Sequence, residues 1–80
     1  NYPNPFNSST HITFSVPEYE YVNLNIFDLL GREVKTLVSE YLDKGTHEVN
    51  WHATDISSGV YLYQIQVGKQ IETKRLILLK

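Results

Sequence analysis

The chain has 80 residues, no cysteine and a formal net charge of −2 at pH 7. A chain of this length makes one domain with a thin core and, without cysteine, has neither a disulfide framework nor thiolate chemistry. The acidic balance and the scattered Lys and Arg argue against a nucleic-acid partner, and the longest apolar run, residues 76–79, is far too short to insert into a membrane.

The first residues, Asn-Tyr-Pro-Asn-Pro-Phe-Asn, are predicted to be extended or turn-like, because each proline restricts the residue before it and removes a backbone donor. A linker is one interpretation. The aromatic residues Tyr2 and Phe6 favour another, in which a leading segment, residues 1–8, packs onto a domain formed by residues 9–80. Because the chain contains no methionine, we also expect it to be a piece of a longer protein.

Two segments, residues 11–16 and 21–27, alternate apolar and polar side chains as half-buried strands do. Their predicted inward side chains are Ile12, Phe14, Val16, Val22, Leu24 and Ile26. Asp28 to Gly31 then fits a type I turn, in which Asp bonds the backbone ahead and Gly takes a positive φ. A hairpin into the next segment is therefore predicted.

The next segment has ambiguous periodicity. Val34, Leu37, Val38, Tyr41 and Leu42 have helical spacing, but Val34 and Val38 also fit a strand that alternates through Thr36. The preceding turn and the absence of a helix N-cap favour a strand over residues 33–38, followed by an irregular stretch.

Three further strands are predicted. Residues 46–51 bring the only tryptophan, Trp51, inward; residues 58–67 form the clearest strand; and residues 71–79 follow a short hairpin turn. Tyr63, Ile65 and Val67 are expected to bury against Trp51 and the last strand. Because residues 76–79 are continuously apolar, we expect both faces of that strand to be covered.

Six or seven short strands with no βαβ alternation predict an antiparallel β-sandwich. Tyr61, two residues after Gly59, fits a tyrosine corner, in which the hydroxyl group bonds to backbone a few residues upstream. That arrangement would make Tyr61 a structural residue.

No residue pattern indicates catalysis or a cofactor. His11, His47 and His52 do not converge as metal ligands would, the acidic residues form no catalytic pair, and no serine has the flanking pattern of a nucleophile. An enzyme is therefore not expected. Exposed tyrosines could form a carbohydrate-binding face, with ordinary edge packing as the alternative, and coplanar exposed rings would distinguish the two. The candidates are Tyr19, Tyr21 and Tyr41.

Five motifs lie in order along the chain: Tyr2, Pro3, Asn4, Pro5, Phe6 and Asn7; residues 27–34 with Asp28, Gly31 and Arg32; Leu42, Gly45 and His47, followed by Trp51; residues 58–61 with Gly59 and Tyr61; and residues 74–80. Together they resemble one family, the type A carboxy-terminal sorting domains of the type IX (Por) secretion system. The immunoglobulin-like domain of the flagellar hook-capping protein is similar in part, but the leading Tyr-Pro-Asn-Pro-Phe favours the sorting domain.

The resemblance implies an immunoglobulin-like sandwich of about seven strands at the carboxy end of a larger secreted protein. The implied partners are that cargo and the outer-membrane secretion machinery of a Gram-negative bacterium, which takes the cargo from the periplasm to the cell surface. Recognition by the machinery is expected to lie in the final residues, which are Lys74, Arg75, Leu76, Ile77, Leu78, Leu79 and Lys80. A spacer packed against a catalytic domain and a carbohydrate-binding module are the alternatives.

Overall fold

The computed structural model describes residues 9–53 and 56–79, which form six strands. These strands are β1 (Ser9–Val16), β2 (Glu20–Phe27), β3 (Glu33–Leu42), β4 (Gly45–His52), β5 (Gly59–Val67) and β6 (Gln70–Leu78). The prediction of an all-β antiparallel sandwich is confirmed, although the described residues contain six strands where about seven were expected. Tyr2 and Phe6, predicted to pack onto the domain, lie outside the described ranges. In those ranges no helix has the length and hydropathy to cross a bilayer.

The strands form two antiparallel sheets. β1 pairs with β4, and the second sheet has the order β3-β2-β5-β6. In the four-stranded sheet β2 and β5 are therefore central, while β3 and β6 are its two edges. The last strand of the fold is consequently held on one side only within the described residues.

The space between the sheets holds two clusters of buried side chains. One cluster consists of Ile12, Val16, Val22, Leu24, Val38 and Ile65, and the other of Ile26, Trp51, Ala53, Tyr61, Leu76 and Leu78. All of the inward residues predicted in the first two strands are buried except Phe14, which is partly buried. Of the residues expected against Trp51, only Tyr63 reaches that cluster, since Ile65 and Val67 pack in the other one.

The irregular stretch predicted after Val38 is wrong, because β3 continues to Leu42 and pairs with β2 as far as Glu20. The irregularity lies within the strand, where the register shifts at Leu24/Asn25 and again at Ile26/Phe27. A bulge lets two successive residues turn to one face, and here Leu37 and Val38 both pack inward. This arrangement explains why the apolar spacing in the sequence looked helical.

Two predicted local structures are confirmed. In the β2–β3 turn the N–H of Gly31 donates to the Asp28 carbonyl oxygen at 3.0 Å, and Gly31 has a φ of 85°, a conformation that favours glycine. In the tyrosine corner, the Tyr61 hydroxyl donates to the Ser57 carbonyl oxygen at 2.7 Å. Together they fix the loops that lead into β3 and β5.

Candidate functional site on the edge strand β6

β6 pairs with β5 in an unbroken register from Val67↔Gln70 to Gly59↔Leu78. Val67 and Gln70 close a two-residue turn, so their backbone groups bond each other, and the bonding direction then alternates along the strand. The N–H and C=O groups that point away from β5 belong to Ile71, Thr73, Arg75 and Ile77. No strand within residues 9–53 and 56–79 pairs with this outer side of β6, which is a free edge in the described part of the chain.

The apolar end of β6 is covered on one face only, and the expectation that both faces are covered is wrong. Leu76 and Leu78 are 8% and 1% exposed in the Trp51 cluster, whereas Ile77 and Leu79 are 60% and 75% exposed. The reason is that successive side chains of a strand point to opposite faces. No strand of the described ranges lies over the outer face of this sheet. In the run from Leu76 to Leu79, the two buried leucines, Leu76 and Leu78, anchor the strand in the core, and the other two apolar side chains are exposed.

The first half of β6 differs from the second. Glu72 and Lys74 fall on the same face of the strand as Leu76 and Leu78, yet both are exposed, and their side chains approach to 3.7 Å. Charged side chains that point inward at an edge discourage another strand from pairing there. Residues 76–79 carry no such charge. The unprotected part of the edge is therefore its last few residues.

The outer face next to Ile77 is apolar. Ile77 lies opposite Val60 on β5, and Leu62 lies opposite both Phe27 on β2 and Arg75 on β6. Phe27, Val60 and Leu62 are half-buried and belong to neither core cluster. We call these three residues with Ile77 the outer apolar patch. The turn after β2 adds Leu29 and Leu30 nearby in sequence, and their side chains are 64% and 79% exposed.

Arg75 is the charged residue beside this patch. Within the described residues the ion pairs are Arg32–Asp28, Lys74–Glu72 and His11–Glu48, so Arg75 has no carboxylate partner there. An exposed guanidinium group presents five donors in a planar fork that matches a carboxylate. A free edge, an apolar patch and an arginine without a carboxylate partner in the described residues are features that suit the binding of another chain.

Sequence reasoning missed Phe27, Val60 and Leu62 as surface residues of interest. Alternation along residues 58–67 puts Val60 and Leu62 on the same face as Gln64 and Gln66, so the signal in the sequence is two apolar residues at one end of an otherwise polar face. Phe27 could not be added from the sequence alone, because its position beside Leu62 depends on β2 pairing with β5.

The three tyrosines considered for a carbohydrate-binding face, Tyr19, Tyr21 and Tyr41, pack against one another. The Tyr19 and Tyr41 rings stack at 5.3 Å with planes 11° apart, and Tyr21 meets Tyr41 edge-on at 5.0 Å. The Tyr21 hydroxyl also lies 2.6 Å from the Ser39 hydroxyl. Rings stacked face to face and edge to face do not form a coplanar surface, so this geometry matches ordinary edge packing.

The three histidines differ in their contacts and exposure. His47 stacks on Phe14 at 5.8 Å, and its Nε2 atom lies 2.7 Å from the Asp43 carbonyl oxygen. His11 Nε2 lies 2.8 Å from Glu48 Oε2, and that hydrogen bond raises the pKa of His11 above its usual 6.5. His52 is exposed. Among residues 9–53 and 56–79 no three potential ligands gather as a metal ion would require.

Asp28 accepts three hydrogen bonds in the β2–β3 turn, and they hold its pKa below the usual 3.8. The Arg32 backbone N–H has the largest effect, and the Arg32 side chain and the Leu30 N–H add to it. The donors lie 3.0, 2.8 and 2.9 Å from the carboxylate oxygens. Asp28 is therefore a structural acid that closes the turn.

A groove of about 440 Å³ lies between β1 and the beginning of β6. Its walls include Phe14, Pro17, Ile65 and Val67, and Glu72 is its only acidic or basic lining residue. One exposed carboxylate offers no pair of groups for acid–base catalysis.

The remaining motif residues hold the fold. Asp28, Gly31 and Arg32 form the β2–β3 turn, Gly45 opens β4, Gly59 opens β5, and Trp51 and Tyr61 lie in one core cluster. The motif residues outside the described ranges are Tyr2, Pro3, Asn4, Pro5, Phe6 and Lys80. Of the final residues expected to carry recognition, Leu76 and Leu78 are buried, while Lys74, Arg75, Ile77 and Leu79 are exposed.

A family model described as a secretion system C-terminal sorting domain matches residues 1–79, which include all six strands. Neither a curated protein nor a solved structure gives a significant match.

Proposed function

The chain belongs to the family of type IX secretion system C-terminal sorting domains, and we propose that it directs a larger cargo protein across the outer membrane through recognition of its last strand. The sorting domains of this family are in general not catalytic. The cargo would reach the periplasm by an amino-terminal signal, and the folded domain would then be bound by outer-membrane machinery on the way to the cell surface. Residues 1–8 would connect the cargo to the sandwich formed by residues 9–80.

The observation that carries this proposal is the alternation of buried and exposed side chains in residues 76–79. Leu76 and Leu78 anchor the strand in the core, while Ile77 and Leu79 remain exposed at a free edge. A sorting domain must be recognised by its surface, and an exposed strand edge next to apolar side chains is a common site for peptide recognition. The recognition residues are thus proposed to be residues 74–80, with Ile77 and Leu79 making the apolar contacts.

The test is export of a reporter fused to residues 1–80 in a Gram-negative bacterium that has a type IX system. The decisive variant is Ile77→Glu/Leu79→Glu, because deletion of residues 75–80 would also remove the buried Leu76 and Leu78. We expect the double variant to leave the reporter in the periplasm, since two charges would have to be desolvated at the contact.

Ile71→Glu is the matched control. Ile71 lies on the same face of the same strand and is 58% exposed, against 60% for Ile77. This control should be exported like the unmodified domain. Equal export of the double variant, at equal folded fraction by circular dichroism, would contradict the proposal. A spacer would give export that does not depend on the domain at all, together with a less stable cargo when the domain is removed.

A further inference from the structure

We propose that the partner of β6 is an extended strand that pairs with the free edge at residues 75–79, with a carboxylate for Arg75 and an apolar side chain against the outer apolar patch. This inference rests on the proposed sorting function and specifies what the machinery would present. It combines three observations on one surface: the apolar patch, a strand edge that no strand of residues 9–53 and 56–79 pairs with, and an arginine without a carboxylate partner in those residues.

The backbone is the first part of the argument. The N–H and C=O groups of Arg75 and Ile77 point away from β5, as the two-residue turn and the unbroken register require. Such groups form a template for one more strand. Because Glu72 and Lys74 protect the first half of β6, the added strand is expected to pair from Arg75 onward.

The side chains define what the added strand carries. Arg75 and Ile77 are both on the outer face, two residues apart, and their side chains meet those of the two opposing residues of an added strand. The partner should therefore have an acidic and an apolar residue separated by one residue. The apolar one extends the patch formed by Phe27, Val60, Leu62 and Ile77, and the acidic one pairs with a guanidinium that has no other carboxylate in the described residues.

A second copy of this chain fits the surface less well. The outward residues of β6 are Ile71, Thr73, Arg75 and Ile77, followed by Leu79, and none of them is acidic. Pairing of β6 with another β6 would thus leave both arginines without a carboxylate. Charge complementarity favours a different chain that supplies one.

The test is a titration of the ¹⁵N-labelled 80-residue chain with two synthetic peptides, Thr-Val-Thr-Asp-Thr-Val-Thr and the same peptide with Asn in place of Asp. We expect the amide resonances of Arg75 and Ile77 to shift more than those of Lys74 and Leu76, whose N–H groups already bond β5. The Asp peptide should bind about two- to fivefold more tightly than the Asn peptide, which is the range for an exposed ion pair. The variant Arg75→Glu should lose that preference, and Arg75→Lys should keep part of it.

Three results would overturn the inference: no shifts at millimolar peptide, shifts confined to another surface, or equal affinity for the two peptides. Concentration-dependent dimers in sedimentation, with the same alternating shifts and no peptide added, would assign the edge to a second copy instead. Export separates this inference from the proposed function. If the unmodified domain exports the reporter and Arg75→Glu does so equally well, the partner chemistry is wrong while sorting stands; if the unmodified domain exports nothing, sorting itself is wrong.

Discussion

The two edges of the four-stranded sheet, β3 and β6, are built differently. β3 pairs with β2 through two register shifts and has exposed charges at Glu33, Lys35 and Glu40, whereas β6 pairs with β5 without a shift. Bulges and charges are the usual means by which proteins prevent an edge from pairing with another chain. The exposed charges of β6, at Glu72, Lys74 and Arg75, all precede Leu76, and residues 76–79 have neither a charge nor a register shift. β3 is therefore protected along its length, whereas the end of β6 is not.

The same contrast recurs within β6 on a smaller scale. Its first half is protected by the charges of Glu72 and Lys74, and its second half alternates buried Leu76 and Leu78 with exposed Ile77 and Leu79. The buried anchor residues and the proposed recognition residues are therefore neighbours in one strand, and substitutions can separate them.

The largest expected effect comes from breaking the anchor. Leu78→Ala removes a side chain that is 1% exposed and should lower the free energy of unfolding by about 2–5 kcal/mol. Domains of this size have on the order of 4–12 kcal/mol in total, so a visible unfolded fraction is expected. Ile77→Ala, one residue away but 60% exposed, should change stability by less than about 0.5 kcal/mol. Urea unfolding measures both, and equal losses would show that the two faces of β6 are not different.

A smaller effect is expected at the residue paired with the anchor. Tyr61 lies opposite Leu76, and its hydroxyl donates to the Ser57 carbonyl oxygen. Tyr61→Phe should cost about 1 kcal/mol and lower Tm by about 4–8 °C, because the carbonyl loses its donor. Tyr63→Phe is the matched control, since the Tyr63 hydroxyl makes no hydrogen bond within the described residues. An unchanged melting temperature in Tyr61→Phe would mean that the corner does not hold the loop before β5.

The stability of the β2–β3 turn, which leads into β3, should depend on pH through Asp28. Its folded pKa lies below the ordinary 3.8 because Arg32 and Leu30 donate to the carboxylate. The stability from this group is therefore fully present above about pH 4 and is lost as the pH falls through the folded pKa. Asp28→Asn should be less stable at neutral pH and show a flatter acid arm in a pH series of thermal unfolding. Identical acid arms would remove Asp28 from the account of the β2–β3 turn.

The smallest expected change in stability concerns His11 and Glu48 in the two-stranded sheet of β1 and β4. The Glu48 hydrogen bond raises the pKa of His11 above 6.5, so its stabilisation is fully present below about pH 6.5 and is lost as the pH rises through the folded pKa. Because both side chains are more than half exposed, the change should be near the limit of detection. Unfolding at about pH 6 and pH 8 tests it, with His11→Gln expected to show no such difference. A dependence that survives in His11→Gln would belong to another group.

Local patterns in the sequence predicted much of this fold. Alternation identified β1 and β2, the Asp and Gly of the turn identified the hairpin, and Gly59 with Tyr61 identified the corner, because each depends on residues close together in the chain. The length of β3 was missed because a bulge makes Leu37 and Val38 share a face, which imitates helical spacing.

The candidate site was only partly predictable. The family resemblance predicted that the final residues are the ones recognised by the machinery. The apolar run from Leu76 to Leu79 does not itself show whether one face or both faces of the strand are covered. The exposure of Ile77 and Leu79 follows from the strand order, which the sequence does not give. The outer apolar patch depends on the same order, since Phe27 meets Leu62 only when β2 pairs with β5. Long-range pairing is the information that short-range patterns lack.

Amide hydrogen exchange along β6 in the free 80-residue chain tests the central claim most directly. A strand held by β5 alone should show alternating protection: slow exchange at Glu72, Lys74 and Leu76, and fast exchange at Thr73, Arg75 and Ile77, whose N–H groups face the free edge. Uniform slow exchange along the strand would show that the outer edge is already paired. In that case β6 could not be the edge that receives a partner.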